Sequence, residues 1–224
     1  VATQVPHAAG SAFAIKYRIS QGLQDKDDDT QARLAVCSLG EGSTTQGEWH
    51  EGLNWAGVHQ LPFICIVENN NYAISVPYEK QAAMSVAERA EAYGIRGIQV
   101  DGTDPLKMYD VMKLAVERAY TGEGPTCIEA KCHRLVPHSS DDDDRTYRSK
   151  EELAEIKQHD PVVNFRKYLM DEGILTEDTD DEYEDKVKQI VNDAHRTAEA
   201  APYPDPAEHL SASHTFAADS RGDF

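Results

Sequence analysis

Two short segments carry the residue types that chemistry at a charged ligand requires. One is Gly40-Glu41-Gly42-Ser43-Thr44-Thr45-Gln46-Gly47-Glu48, and the other is Glu68-Asn69-Asn70-Asn71-Tyr72-Ala73-Ile74-Ser75. Glycines on either side of an acid let the backbone turn sharply and come close to a ligand. The acid can coordinate a hard cation, and an asparagine oxygen with a backbone carbonyl from the second segment would complete the protein's share of an octahedral Mg²⁺ site. Mg²⁺ usually joins one or two protein oxygens to ligand phosphates, so this set fits a bound diphosphate. Gly-Glu-Gly alone reads as an ordinary strand-to-helix turn; its weight comes from the pairing with the asparagine triplet. A third segment, from His133 to Ser149, holds His138. An imidazole suits proton handling near neutral pH, although a single loop histidine is more often a surface group.

These segments need a scaffold, and the apolar pattern supplies one. Leu34 to Leu39 and Pro62 to Val67 are short continuous apolar runs ending in Gly40 and in the asparagine triplet, as buried parallel strands read. Ile98 to Val100, closed by Asp101-Gly102-Thr103-Asp104, and Thr126 to Ala130 give two more strands. Helical patterns fill the intervals: Gln4 to Gln21, mostly buried; Gly47 to Gln60, with Leu53, Ala56, Gly57 and Val58 inward; Val86 to Tyr93; and Pro105 to Tyr120. The Gly47 helix points its amino end at the same region, which favours phosphate oxygens. Alternating strands and helices predict an α/β fold, a parallel sheet with helices on both faces joined by right-handed crossovers. Ligands of such sheets bind beyond the carboxyl ends of the strands, which is where Gly40 to Thr45, Glu68 to Ser75, Asp101 to Asp104 and His133 to Ser149 fall. Charged amphipathic helices follow over Lys150 to Gln158, Pro161 to Glu172 and Asp180 to Ala200. The expected organisation is an α/β domain over 1–149, a helical carboxy-terminal appendage over 150–202 and a mobile tail over 203–224.

Forty acidic against 22 basic side chains leave a formal charge of −18, which repels nucleic-acid backbones and anionic membranes. The acid runs Asp25 to Asp29 and Glu177 to Glu184 read as solvated faces or mobile loops. Cys37, Cys65, Cys127 and Cys132 show no metal-type Cys-x-x-Cys spacing, and the first three sit in apolar runs like small core residues. No apolar run approaches the length of a membrane span and no signal core opens the chain, so a soluble protein is expected, cytoplasmic or in the mitochondrial matrix of a eukaryote. The start at Val1, without Met, suggests a fragment or a processed chain. A nucleotide-binding domain is disfavoured, because both the Gly-x-Gly-x-x-Gly fingerprint and the Gly-Lys-Ser/Thr phosphate loop are missing.

Gly40-Glu41-Gly42 through Asn69-Asn70 resembles the thiamine-diphosphate-binding motif. Glu48-x-His50-Glu51-x-Leu53-Asn54, Tyr72-Ala73-Ile74-Ser75, Val100-Asp101-Gly102-x-Asp104 and His138-Ser139-Ser140-Asp141-Asp142 with Tyr147-Arg148-Ser149 resemble the alpha subunits of 2-oxoacid dehydrogenases. The resemblance runs in order from Ala2 to Ser149, more weakly beyond, and is nearest to the branched-chain type. It implies the thiamine-diphosphate-binding fold, with Glu41, the Asn70 side chain and the Tyr72 carbonyl as Mg²⁺ ligands. It also implies that Gly42, Ser43 and Ala73 line the diphosphate, and that His138 lies beside the cofactor and serves reductive acylation of a lipoyl group. Arg134, Asp142, Tyr147 and Arg148 would support the His138 loop. Ser139 and Ser149 match positions phosphorylated in animal mitochondrial branched-chain enzymes; added phosphate charge beside an anionic cofactor would disorder that loop.

Two positions depart from the family pattern. Glu68 stands where several branched-chain relatives carry a basic residue that grips the diphosphate, and Pro137 replaces a second loop histidine found in some animal relatives. The resemblance implies decarboxylation of a branched-chain 2-oxoacid on thiamine diphosphate and acyl transfer to a lipoyl domain, with pyruvate or acetoin as alternative substrates. It also implies an alpha₂beta₂ assembly whose beta subunit supplies the glutamate that activates the thiamine ring, and a family segment preceding Val1 that adds diphosphate contacts. A non-catalytic fragment keeping only fold and subunit contacts is the other expectation.

Overall fold

Phe63-Ile64-Cys65-Ile66-Val67 has no polar side, and such a strand must be covered on both faces. In the computed structural model, which describes residues 1–23 and 33–205, the run lies in β2 (Phe63–Asn69). β1 (Ala35–Gly40) and β6 (Thr126–Lys131) flank it, and β5 (Arg96–Asp101) forms the edge beyond β6. All four strands are parallel. Side chains alternate between two cores: Phe63, Cys65 and Val67 meet Val5, Trp49, Leu53 and Ala90, whereas Ile64 meets Ala115 and Ile128. Helices α1 (Gln4–Ser20), α2 (Gly47–Val58) and α3 (Val86–Glu91) therefore cover one face, and α4 (Pro105–Thr121) covers the other. Each large apolar side chain buried this way contributes about 1.5–3 kcal/mol.

Cys37, Cys65 and Cys127 share one register level across β1, β2 and β6 and are buried free thiols. Hydrogen bonds from Cys127 and Cys37, with burial, push the Cys65 thiol well above its usual range. The expected sheet with helices on both faces is present, but β1 is covered on one face only: Cys37 and Leu39 are buried while Val36 is exposed, because α4 lies against β2, β6 and β5. Helix α1 is also less enclosed than its pattern predicts. Val5, Ala9 and Ala12 are buried, while Phe13, Tyr17 and Ile19 are exposed, because only one stripe of a helix can face a sheet. Val58 is also exposed rather than inward, lying beyond the Leu53, Ala56 and Gly57 stripe at the last residue of α2.

The chain divides into two compact units, Val1–Lys167 and Tyr168–Phe224. The first carries the sheet, α5 (Lys150–Ile156) and most of α6 (Pro161–Asp171). The second carries α7 (Glu177–Ala200), opened by a capping box between Thr176 and Thr179. The acid run from Glu177 to Glu184 is thus a solvated helix start, the first of the two expected readings, with only Asp180 buried: carboxylates in the first turn offset the positive end of the helix dipole. The acid run Asp25 to Asp29 and the tail from 206 onward lie outside the described residues. Among the described residues no helix is long and apolar enough to cross a membrane.

Candidate functional site

Parallel pairing puts the carboxyl ends of all four strands at one edge, with Gly40 level with Glu68, Glu68 with Ala130 and Val100 with Ala130. Glu41 opens a 3₁₀ turn, Glu41–Thr45, as the chain leaves β1. Its side chain is 1% exposed. Oε2 accepts a hydrogen bond from the Asn70 N–H at 3.3 Å, whereas the buried Oε1 has no hydrogen-bond partner. The Asn70 Oδ1 accepts from the Tyr72 N–H at 3.2 Å, closing a small turn after β2. Tyr72 belongs to a two-stranded hairpin, β3 (Tyr72–Ala73) with β4 (Val76–Pro77), that the sequence pattern did not reveal. Its register partner is Pro77, which has no N–H to offer the Tyr72 carbonyl. A Cβ on Gly42 would stand 2.6 Å from the Ala73 Cβ, so only glycine permits this approach of the two segments. Ser43 lies in the same 3₁₀ turn, half-buried.

The turn is clamped from behind. Asn69 is fully buried: its Nδ2 donates to Glu129 Oε1 at 2.6 Å and its Oδ1 accepts from the Asn71 N–H at 3.0 Å. Lys131 Nζ donates to Asn71 Oδ1 at 3.0 Å, and Asn71 itself has φ of 69°, a conformation asparagine tolerates. Arg89 of α3 donates to the carbonyl and hydroxyl of Thr44, tying the Glu41 turn to α3. Sequence reasoning placed Asn69 in the motif without a role of its own, and singled out none of Glu129, Lys131 and Arg89. Glu129 carried a legible signal, an isolated acid inside the otherwise uncharged run Thr126 to Ala130.

The segment after β6 forms one connected network. Arg134 donates to the Ile74 carbonyl at 2.8 Å and to the Tyr147 hydroxyl at 2.7 Å. The Tyr147 hydroxyl donates to Asp142 Oδ2 at 2.6 Å, and the same oxygen accepts from the His138 N–H at 2.8 Å. Burial and this bond to Asp142 push the Tyr147 hydroxyl up to about 12, while hydrogen bonds from Tyr147 and His138 hold the Asp142 carboxyl below its ordinary value. Arg148 is buried, donates to the Arg134 carbonyl at 2.8 Å, pairs with Asp144, and lies 4.8 Å above the Tyr72 ring. The Tyr72 hydroxyl donates to Glu152 on α5 at 3.3 Å, and burial raises it with help from that carboxylate. Ile74 has φ of 56°, uncommon for a β-branched residue and costing about 1–3 kcal/mol. The His138 imidazole is exposed, as is Ser139. Ser149 is the N-cap of α5, its hydroxyl accepting from the Glu152 N–H at 3.0 Å. Arg134, Asp142, Tyr147 and Arg148 are therefore joined, and Arg134 links them to the hairpin beside Asn70.

Residues 1–207 match the family model described as dehydrogenase E1 component. The chain belongs to the dehydrogenase E1 component family. It is 47% identical over 211 residues to the 2-oxoisovalerate dehydrogenase subunit alpha of Bacillus subtilis strain 168, covering 94% of this chain and 61% of that protein. It is 41% identical over 201 residues to the pyruvate dehydrogenase E1 component subunit alpha of Staphylococcus aureus strain Mu50, covering 89% and 51%. The corresponding protein of Bacillus cereus is 40% identical over 204 residues, covering 90% and 52%. The chain thus spans between half and two thirds of the length of these E1 relatives.

The E1 residues at the strand ends fit a cation bound to a diphosphate on chemical grounds. Among the described residues no group of three or more His, Cys, Asp or Glu side chains could hold a metal ion. A cation at this edge would draw on one carboxylate, amide and carbonyl oxygens, and phosphate oxygens of its ligand, the mixture Mg²⁺ prefers. The unpartnered Glu41 Oε1 is the strongest observation in favour, because a buried carboxylate oxygen without a donor costs free energy until something positive meets it.

Proposed function

We propose that this E1 chain belongs to an alpha subunit that binds Mg²⁺ and thiamine diphosphate in a 2-oxoacid dehydrogenase. The observation carrying this reading is Glu41: fully buried, hydrogen-bonded through one oxygen to the Asn70 backbone, and unpartnered at the other. Glu41, Asn70 Oδ1 and the Tyr72 carbonyl would hold the cation, with Gly42, Ser43 and Ala73 along the diphosphate. When bound, the cofactor supplies the electron sink for decarboxylating the 2-oxoacid. The chain's own contribution is positional. The turn beyond β2 orients the Asn70 oxygen, and Gly42 lets the Glu41 turn close against Ala73. The Asp142 and Tyr147 contacts fix the backbone of His138, whose imidazole would move a proton as the acyl group passes to a lipoyl domain. A beta subunit would complete an alpha₂beta₂ enzyme in the cytoplasm or mitochondrial matrix. The branched-chain substrate class is favoured by the 47% identity to the 2-oxoisovalerate enzyme subunit against 41% to a pyruvate enzyme subunit. Ser139 and Ser149 are proposed phosphorylation positions; a phosphate on Ser149 would load the first turn of α5 beside Glu151 and Glu152.

The test is calorimetric titration of the assembled enzyme, full-length alpha with beta subunit, with thiamine diphosphate in the presence and absence of Mg²⁺. Glu41→Ala should abolish the Mg²⁺ dependence and weaken binding beyond the roughly 10–100-fold typical of residues that only support a metal ligand. Wild-type affinity in Glu41→Ala would refute the site. Turnover of 3-methyl-2-oxobutanoate compared with pyruvate then decides the substrate class.

A further inference from the structure

Glu129 lies one layer behind the strand-end site, in the middle of β6, and is fully buried. Every polar partner around its carboxylate is a nitrogen donor. Asn69 Nδ2 donates to Oε1 at 2.6 Å, the Ala87 N–H and Gln99 Nε2 donate to Oε2 at 3.1 and 3.3 Å, and Lys131 Nζ stands 3.9 Å from Oε1. An acceptor-only carboxylate satisfies all of them, which a glutamine in its place could not do. Asn69 spends its other side-chain atom on the Asn71 N–H, and its carbonyl accepts from the Cys132 N–H at 3.0 Å. Asn69 is therefore held by Glu129 of β6 and by Cys132 just beyond it. The next residue, Asn70, donates its N–H to Glu41, and its Oδ1 accepts from the Tyr72 N–H.

We infer that Glu129 is a positioning residue for the cation and diphosphate site: through Asn69 it fixes the turn that presents Asn70 Oδ1 and the Tyr72 carbonyl. This rests on the reading of Glu41, Asn70 and Tyr72 given above. The physical reason is orientation. Asn69 carries an amide whose two ends could be exchanged by rotation, and the Glu129 carboxylate forces its NH₂ toward β6, so that Oδ1 must face the Asn71 N–H. Without that acceptor either amide orientation is open, and the turn loses its fixed geometry. Lys131 adds a second hold through Asn71 Oδ1. Outer partners that orient metal ligands typically change metal affinity by about 10–100-fold when removed.

The experiment uses the assembled enzyme and reads the dissociation constant for Mg²⁺ and thiamine diphosphate by calorimetry, beside the thermal midpoint of the cofactor-free protein. Glu129→Gln turns an amide donor toward Asn69 or toward the Ala87 N–H, and should weaken cofactor binding by about 10-fold or more. At saturating cofactor its kcat should stay within about 2-fold of wild type, since Glu129 touches no ligand. The double variant Glu129→Gln with Asn69→Asp reverses donor and acceptor, keeps an oxygen for the Asn71 N–H, and should recover most of the lost affinity. Gln99→Leu removes a donor to the same carboxylate away from the turn and should bind cofactor as wild type does. If Glu129→Gln fails to assemble, Lys131→Met, whose side chain is 36% exposed, reads the same clamp and should weaken binding several-fold. Wild-type affinity in Glu129→Gln or in Lys131→Met would overturn the inference, as would a double variant no tighter than Glu129→Gln. A wild-type enzyme that shows no Mg²⁺-dependent binding would instead overturn the underlying site.

Discussion

Gly42→Ala isolates the closest approach in the site. A Cβ built at position 42 would lie 2.6 Å from the Ala73 Cβ and 3.3 Å from its Cα. Carbon atoms rest at about 3.5–4.0 Å, so Ala73 has to retreat by roughly 1 Å. It cannot do so by rotating, because its methyl is fixed to the backbone, and that backbone is flanked by Tyr72 and by Ile74, whose carbonyl Arg134 holds. Overpacking of this kind costs about 1–3 kcal/mol of stability. The displaced strand also carries the Tyr72 carbonyl, and a misplacement of about 1 Å can lower turnover on the order of 100-fold. Gly40→Ala, two residues earlier, is the control: nothing lies within 4 Å of its Cβ and its φ is −74°, so its stability should stay within about 0.5 kcal/mol of wild type. Urea unfolding and cofactor titration of both variants in the assembled enzyme measure the contrast. A Gly42→Ala enzyme indistinguishable from Gly40→Ala in midpoint and affinity would refute the idea that the two segments meet as closely as the structure shows.

Two other perturbations address the loop and the strand end beside it. Tyr147→Phe removes the hydroxyl that joins Arg134 to Asp142, and should raise amide exchange at His138 by about 5-fold, the equivalent of one hydrogen bond of about 1 kcal/mol; unchanged exchange at His138 would show that the loop is held otherwise. Asp101 is held down to about 2 by the Thr103 hydroxyl and Lys107. A carboxyl depressed in the folded state stabilises fully above its unfolded value near 3.9 and loses that contribution as pH falls toward about 2. Its side chain is 45% exposed, so screening keeps the contribution below about 1 kcal/mol. Asp101→Asn should therefore be slightly less stable than wild type at pH 7, with the difference shrinking between pH 4 and 2 in urea titrations. A difference that stays constant over that window contradicts the assignment.

Local pattern determined a good deal about this protein. The continuous apolar runs before Gly40 and Asn69 read as buried parallel strands, which present their following segments at one edge; β2 is covered on both faces, whereas β1 leaves Val36 exposed. Glu41 and the asparagine triplet therefore belong at the same end of the sheet. Pattern also marked Asp104 and Ser149 as segment boundaries, where both now cap helices through their side-chain oxygens. What it missed depends on which residue faces which across the sheet. Glu129 reaches Asn69 because β6 inserts between β2 and β5, an order that alternation alone leaves open. The β3 and β4 hairpin is two residues a side, too short for any periodicity to show. The exposure of Phe13, Tyr17 and Val58 follows from how much of each helix the sheet can cover, a question of area and angle. The identity of each donor and acceptor is in the sequence, whereas the pairing of Glu129 with Asn69, or of Arg134 with Ile74 and Tyr147, exists only once positions 60 or 13 apart along the chain have been folded together.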